Sequence, residues 1–205
     1  MDTNDIWEVD TPKQVYVKVI KMLLHRGWVE QESLDSLVSG YDSEVEIHYI
    51  ETNGTLPTGG VRITKVKLVI DLSADALDRF KTESFLKLEE NCRNIFIFDQ
   101  RTIGNMKLKF KTYDKPKDVY AHIDIIGLNI LSIDHKNHTW AQDHQLVDNR
   151  LEIFKAGELW DMRLLMSIYH SDPQARYLGA RIGDIIKIST EDQIKFRKVI
   201  TGYGF

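Results

Sequence analysis

The sequence has little of several things that would mark particular protein classes. It holds one cysteine, Cys92, which excludes an internal disulfide and a zinc centre built from cysteines. No apolar run approaches the length that a membrane-spanning helix needs. The formal net charge of -4 excludes a global positive field that would draw the chain to nucleic acid. A DNA contact would therefore have to come from a local patch or from a partner.

What is present is ordinary for a globular protein. Apolar residues make up 42% of the 205 residues and charged residues 28%, which suits one large domain or two small ones. Residues 1–5 are acidic and no apolar core follows them, so we expect no signal peptide. These features predict a soluble, intracellular protein without a membrane partner.

The N-terminal part begins with a well-marked helix. Thr11 is a good helix cap, Pro12 suits the first helical position, and Gln14 stands where a capping box needs it. The apolar residues that follow share one face, and Gly27 is the predicted end. A second, short helix is predicted over residues 31–38.

The next stretch predicts an alternation of strands and helices. A loop over residues 54–60 contains Pro57, and helices are predicted after Ser73 and around Phe85 and Leu88. The strand candidates are residues 44–50, 61–72, 94–98, 107–111 and 119–126. This order indicates a small α/β layer structure, and the change of character around Asn129 indicates a domain boundary.

The most informative segment runs from residue 172 to residue 188. Asp172 is a helix cap and Pro173 the first helical residue, so a short helix is predicted up to Gly179, a natural left-handed stop. Gly183-Asp184 predicts a turn that leads into a strand. A helix this short does not stand alone, so its apolar face must dock on the strand or on a partner.

The segment resembles the signature of the fifth-subunit family of multisubunit DNA-dependent RNA polymerases, a family with archaeal and eukaryotic members. The family pattern is Asp-Pro, then Ala-Arg-Tyr, then Gly, then Gly-Asp-Val-Val-Lys-Ile. Ile185 and Ile186 replace the two valines. The residues that keep the pattern are Asp172, Pro173, Ala175, Arg176, Tyr177, Gly179, Gly183, Asp184, Lys187 and Ile188.

The chain departs from the family pattern in three places. His138 and His144 keep the spacing of a family histidine pair, but Ala141 and Gln142 replace the Val-Pro between them. Met166 replaces a proline, and the hairpin after Ile188 is shorter than in the family. The N-terminal part resembles the eukaryotic jaw domain in outline only, through Trp7, the first helix and Gly27. This divergent, eukaryotic-type layout is similar to that of a homologue encoded by a large cytoplasmic DNA virus.

The resemblance implies an α/β jaw domain over residues 1–129 and a small α+β assembly domain over residues 130–205. It implies a non-catalytic subunit without cofactor or metal, which docks on the largest polymerase subunit and contributes to the downstream-DNA jaw. Its location would be with the transcription machinery: host cytoplasm and virion for a viral protein, the nucleus for a cellular one. The residues expected to shape or contact the partner interface are Asp172, Pro173, Arg176, Tyr177, Gly179, Gly183, Asp184 and Lys187.

Three lysines of the predicted strand at 107–111 fall on one face, where they would screen phosphates without reading bases. They are Lys107, Lys109 and Lys111. The same alternation also suits the solvated face of an edge strand that is guarded against aggregation. The resemblance implies that this side of a jaw domain lies close to downstream DNA.

Other functions stay open at this point. His135, His138 and His144 are close enough in sequence to bind zinc, although packed histidines explain them better. A metal-dependent nuclease would use carboxylates beside a lysine, but the usual acidic pair followed by Glu-x-Lys is absent. Its candidate residues are Asp71, Glu89, Glu90, Asp99, Lys107 and Lys109. A free transcription regulator that binds the polymerase through the same module is a further alternative.

Overall fold

The structure is a computed structural model that describes residues 10–53, 64–73, 76, 92–99, 123–132, 143–147, 165–190 and 193–201. The helices predicted around residues 77–88 and the strand predicted over residues 107–111 lie outside this range, as do His135 and His138.

The described residues form four α-helices and eight strands. The helices are α1 (Pro12–His25), α2 (Leu34–Ser39), α3 (Leu128–Ser132) and α4 (Pro173–Leu178). The strands are β1 (Ile47–Glu51), β2 (Lys65–Asp71), β3 (Cys92–Phe98), β4 (Ile123–Gly127), β5 (Asp143–Val147), β6 (Met166–Tyr169), β7 (Ile185–Ser189) and β8 (Ile194–Ile200). The mixed α/β character expected from the sequence is confirmed for these residues.

Helix α1 begins as predicted. The N–H of Gln14 donates to the Thr11 hydroxyl, 3.3 Å away, and the N–H of Thr11 donates to the Gln14 side chain, 2.7 Å away, so the capping box is complete. At the other end, Gly27 has a φ of +70°. The N–H of Trp28 reaches back to the Leu23 carbonyl, which gives the hydrogen-bond pattern of a Schellman stop.

Several predicted elements have different bounds in the structure, and β3, for example, starts at Cys92 and not at residue 94. Residues 31–33 form a 3-10 turn and α2 starts only at Leu34. Neither Glu30 nor Ser33 provides a side-chain cap. Strand β1 starts three residues later than the predicted residue 44. The N–H of Glu44 donates to the Asp42 carboxylate at 2.9 Å, and this local turn delays the extended backbone.

The N-terminal sheet has the strand order β1-β2-β3-β4, with β1 antiparallel to β2 and the other pairs parallel. Helix α1 packs on one face of this sheet and buries the predicted apolar stripe. Alternate apolar residues of β2 form a stripe that also faces α1, with Val66 and Leu68 fully buried. Every residue of β3 is buried, as expected for a central strand covered on both faces.

The C-terminal sheet has the order β5-β7-β8-β6. Strand β7 is antiparallel to β5 and β8, and β6 is parallel to β8. Helix α4 packs on one face of this sheet, where its Ala175 and Leu178 join Ile186 and Val199 in a buried cluster. The predicted helix, turn and strand of residues 172–188 are confirmed by α4 and β7.

The predicted boundary at Asn129 falls within α3, directly after β4. The neighbouring Ile130 and Leu131 are buried in the apolar cluster of α1 and the N-terminal sheet. Residues 128–132 therefore pack with the N-terminal part, and the domain limits at 129 and 130 stay a prediction. In the described part of the chain, no helix is long and apolar enough to cross a membrane.

Candidate functional site

The two sheets meet where the C-terminal end of α4 lies against the end of α1 and the first residues of β3 and β4. We call this contact the seam and define it by Arg26, Arg93 and Asp124 on the N-terminal side and residues 176–179 on the other. Two buried arginines converge there on backbone carbonyls at the C-terminal end of α4 and on the carboxylate of Asp124.

Arg26 enters the seam from the end of α1. Its Nε donates to the Tyr177 carbonyl at 2.7 Å and its Nη2 to the Arg176 carbonyl at 3.1 Å. Its Nη1 donates to Asp124 Oδ2 at 2.8 Å. The Arg26 side chain is 0% exposed, so the guanidinium serves as a buried cap for the negative end of α4.

Arg93 comes from β3 and lies on the face of the sheet that α1 covers, because it is paired with Val66 in the strand register. Its Nη2 donates to Asp124 Oδ1 at 2.6 Å and its Nε to Asp124 Oδ2 at 3.1 Å, which is a two-point contact. The same Nη2 lies 3.3 Å from the Gly179 carbonyl and donates to it. Arg93 thus links the sheet to the residue just beyond α4.

Asp124 is the one carboxylate of the seam and receives both guanidinium groups. Burial alone would raise the pKa of Asp124, but Arg93 and then Arg26 outweigh it and hold the pKa well below its usual range. Burial lowers the pKa of Arg26, a shift that Asp124 opposes, yet a guanidinium stays charged at neutral pH. Two cations therefore share one anion, and the carbonyl dipoles of α4 supply further negative potential.

The indole of Trp28 lies beside both cations. Its ring centroid is 4.8 Å from the Arg26 guanidinium carbon and 5.5 Å from that of Arg93. These distances suit cation–π attraction, which is stronger where water is excluded, and Trp28 is buried. The Schellman stop after α1 is what brings Trp28 to this position.

Tyr177 points into the N-terminal part of the molecule. Its side chain is 7% exposed and belongs to the apolar cluster of α1 and the N-terminal sheet. Its hydroxyl lies 2.7 Å from His25 Nδ1 and hydrogen-bonds to it. Tyr177, the tyrosine of the signature, is therefore buried by contacts within this chain.

Gly179 is required for two reasons. Its φ of +69° lies in the left-handed region, and a Cβ there would sit 2.9 Å from the guanidinium carbon of Arg26. Gly27 and Gly183 also have positive φ, of +70° and +97°, but a Cβ at either would meet nothing within 4 Å. The close approach of Arg26 is thus specific to Gly179.

Other signature residues hold the backbone in shape. The Asp172 carboxylate accepts the N–H of Gln174 at 2.8 Å, as predicted for a helix cap. The Asp184 carboxylate accepts the N–H of Arg181 at 2.7 Å, and burial raises the pKa of Asp184. Lys187 is half-buried on β7, opposite Phe196 of β8.

The signature residues lie together around α4 and β7, but the seam also contains residues that sequence reasoning missed. Arg93 and Asp124 were visible only as single charges at the start of apolar strands, and Arg26 as a charge before a predicted helix stop. A charged residue at an inward strand position was the available signal. Pairing them across such sequence distances required the fold.

The alternative sites are only partly within the described residues. Asp71 and Asp99 lie at the ends of the parallel strands β2 and β3, and Asp71 accepts hydrogen bonds from the N–H and hydroxyl of Ser73. His144 lies on β5. Glu89, Glu90, Lys107, Lys109 and Lys111 are outside the described residues. Within that described range, no group of three or more potential ligands is arranged to hold a metal ion.

Comparison with protein families gives a match over part of the chain. Residues 133–200 match the family model for the C-terminal domain of RNA polymerase Rpb5, a span that includes β5 to β8 and α4. The expected resemblance to the fifth-subunit family is confirmed by this match. A search among curated proteins finds no match.

Replacing Asp124 by Asn should strongly destabilise the fold, because it leaves two buried guanidiniums without a counter-charge. We expect a loss of about 3–5 kcal/mol in the free energy of unfolding, measured by urea denaturation at pH 7. Since the pKa of Asp124 is depressed, its contribution is present above the unfolded pKa of about 3.9 and is lost as the pH falls below it. As the pH is lowered below about 3.9, the free energy of unfolding of D124N should therefore fall less than that of the parent chain.

The control for D124N is Glu51→Gln, which removes a carboxylate from an exposed ion pair with Lys65. It should leave the urea midpoint almost unchanged. If the two substitutions lowered the urea midpoint equally, the claim that Asp124 stabilises the two buried arginines would be contradicted.

Gly179→Ala and Gly27→Ala form a matched pair, since both residues have nearly the same φ and both stop a helix. Each should lose about 1–2 kcal/mol from the left-handed backbone, and G179A should lose more because its Cβ displaces Arg26. In an Arg26→Ala background the extra loss should disappear. The double-mutant cycle is measured by thermal and urea unfolding. If G179A lost more stability than G27A by the same amount with and without the Arg26 side chain, Arg26 would not be the cause of the extra loss.

Proposed function

Because residues 133–200 match the C-terminal domain of the fifth subunit of multisubunit RNA polymerases, we propose that this chain is a non-catalytic subunit of such a polymerase. The observation that carries the proposal is the match of that span together with the intact fold of its signature. Nucleotide transfer would belong to the large subunits, and this chain would contribute to assembly. Its location would follow that of the transcription machinery.

The geometry supports docking through the C-terminal sheet and α4. Asp172 and Pro173 start α4, Gly179 ends it, and Gly183 and Asp184 form the turn into β7. These residues set the backbone of the proposed interface. Arg176 and Lys187 are half-buried and remain proposed contacts with the largest subunit, whereas we assign Tyr177 first to the seam.

Exposed apolar side chains on this domain also support a protein partner. Of the six large apolar residues that are well exposed in the described range, four lie in the C-terminal domain. They are Met166 at 66%, Ile182 at 59%, Tyr169 at 52% and Ile194 at 46%. We propose that the partner covers these side chains, because each gains free energy when it loses its contact with water. Met166 and Tyr169 lie on the edge strand β6.

We further propose that the N-terminal sheet and α1 act as the jaw, near downstream DNA. The support is the seam, in which Arg26 and Arg93 of the N-terminal part donate hydrogen bonds to the carbonyls of residues 176, 177 and 179 of the assembly domain. A module held in this way would keep a fixed direction once the assembly domain has docked. Lys107, Lys109 and Lys111 remain the proposed DNA-proximal residues.

The test is co-purification of the tagged full chain with the polymerase subunits of its native source, washed in high salt. We expect recovery of two very large subunits at one copy per chain, together with template-directed RNA synthesis. Recovery of the chain without the large subunits would contradict the proposal. A substoichiometric, salt-sensitive association would instead fit a free regulator.

A further inference from the structure

The turn between α4 and β7, residues 181–183, is held more firmly than a loop usually is. The N–H of Arg181 donates to the Asp184 carboxylate at 2.7 Å, and the N–H of Asp184 donates to the Arg181 carbonyl at 3.0 Å. The N–H of Gly183 donates to the Val199 carbonyl at 2.8 Å, and the Asp184 carbonyl accepts the N–H of Val199 at 2.8 Å. The turn is therefore fixed both to itself and to β8.

This fixed turn presents an apolar side chain to solvent. Ile182 is 59% exposed, and its neighbour Arg181 is half-buried. A residue displayed on a preorganised turn loses little conformational entropy when a partner covers it. An arginine beside an exposed apolar side chain also has the composition of an interface contact, in which arginine is enriched.

Arg181 lies in a region with more positive than negative charge. Asp124 is already shared by Arg26 and Arg93, and the carboxylate of Asp184 is hydrogen-bonded to the Arg181 backbone. Among the described residues, none forms an ion pair with the Arg181 guanidinium. Burial and then the nearby charge of Arg93 lower the pKa of Arg181 to about 10, while Asp124 and Asp184 oppose the shift. A further carboxylate would relieve this imbalance.

We propose that the Arg181–Ile182 turn is a docking contact for a segment of another polymerase subunit that presents a carboxylate next to an apolar side chain. The carboxylate would pair with the Arg181 guanidinium, and the apolar group would cover Ile182. This inference deepens the proposed function and depends on it, since it names the chemistry of the partner at the assembly domain. Neither Arg181 nor Ile182 is one of the signature residues.

A protein carboxylate fits this turn better than a nucleic-acid phosphate does. An exposed isoleucine gains nothing from a phosphate backbone but is stabilised by an apolar partner. The chain as a whole carries a net charge of -4, which disfavours the approach of a polyanion. A mixed carboxylate and apolar surface matches both side chains at once.

The first test measures binding of the full chain to the isolated largest polymerase subunit, as a function of salt. Arg181→Glu should weaken binding by about tenfold or more, because it replaces an attraction by a repulsion. Arg181→Ala should weaken it less and should reduce its sensitivity to salt. Ile182→Ser should weaken it without changing the salt sensitivity. Lys21→Glu is the control, since Lys21 is an exposed cation on α1, outside the proposed docking domain, and should have little effect.

The second test identifies the carboxylate directly. Arg181→Lys keeps the positive charge and adds a primary amine, so a carbodiimide can join it to a carboxylate within contact distance. We expect a cross-link between residue 181 and an Asp or Glu of a polymerase subunit, mapped by mass spectrometry on the assembled complex. The native Lys21 on α1 in the same sample is the internal control and should stay unlinked to that subunit.

The outcomes separate this inference from the proposed function. If the parent chain does not bind the polymerase, the proposed function itself fails. If the parent binds and R181E binds equally well, with no cross-link from R181K, the docking turn is wrong while the subunit assignment stands. Circular dichroism and the urea midpoint of each variant distinguish weaker docking from loss of fold, and R181K keeps the test valid if R181E unfolds.

Discussion

The arrangement of this protein depends on two buried guanidinium groups that share the carboxylate of Asp124. Removing arginine side chains from water is costly, and the cost is offset only when each N–H finds an acceptor in good geometry. At the seam the acceptors are Asp124 and the carbonyls of residues 176, 177 and 179. The cations therefore stay satisfied only while α4 stands against α1 and β3. This requirement fixes the C-terminal sheet relative to the N-terminal one.

The seam gives a physical reason for part of the signature. Gly179 is a glycine because its backbone is left-handed and because Arg26 covers the space that a side chain would fill. Tyr177 adds a buried ring and a hydrogen bond to His25. The short helix α4 and the turn after it thus have different roles. The helix packs against the N-terminal part at the seam, and the turn presents Arg181 and Ile182 to the proposed partner.

Local chemistry was readable from the sequence, whereas long-range charge pairing was not. The capping box at Thr11, the cap at Asp172 and the stops at Gly27 and Gly179 follow from backbone rules that act over a few residues. The apolar stripes of α1 and β2 follow from periodicity. The partnership of Arg26, Arg93 and Asp124 joins residues far apart in sequence, and no local rule pairs one of these charges with another. Exposure of the turn residue Ile182 also depends on tertiary packing, which no local rule supplies.

The most direct measurement of the central claim is hydrogen exchange, followed by mass spectrometry, of the parent chain and of Arg26→Ala. Peptides from the end of α1 and from residues 173–183 report on the two sides of the seam. If the seam joins the two parts into one cooperative unit, both peptides lose protection together in the variant, with Lys21→Ala as the control that changes neither. Loss of protection at the end of α1 alone, with residues 173–183 unchanged, would contradict the claim that the seam holds the two parts together.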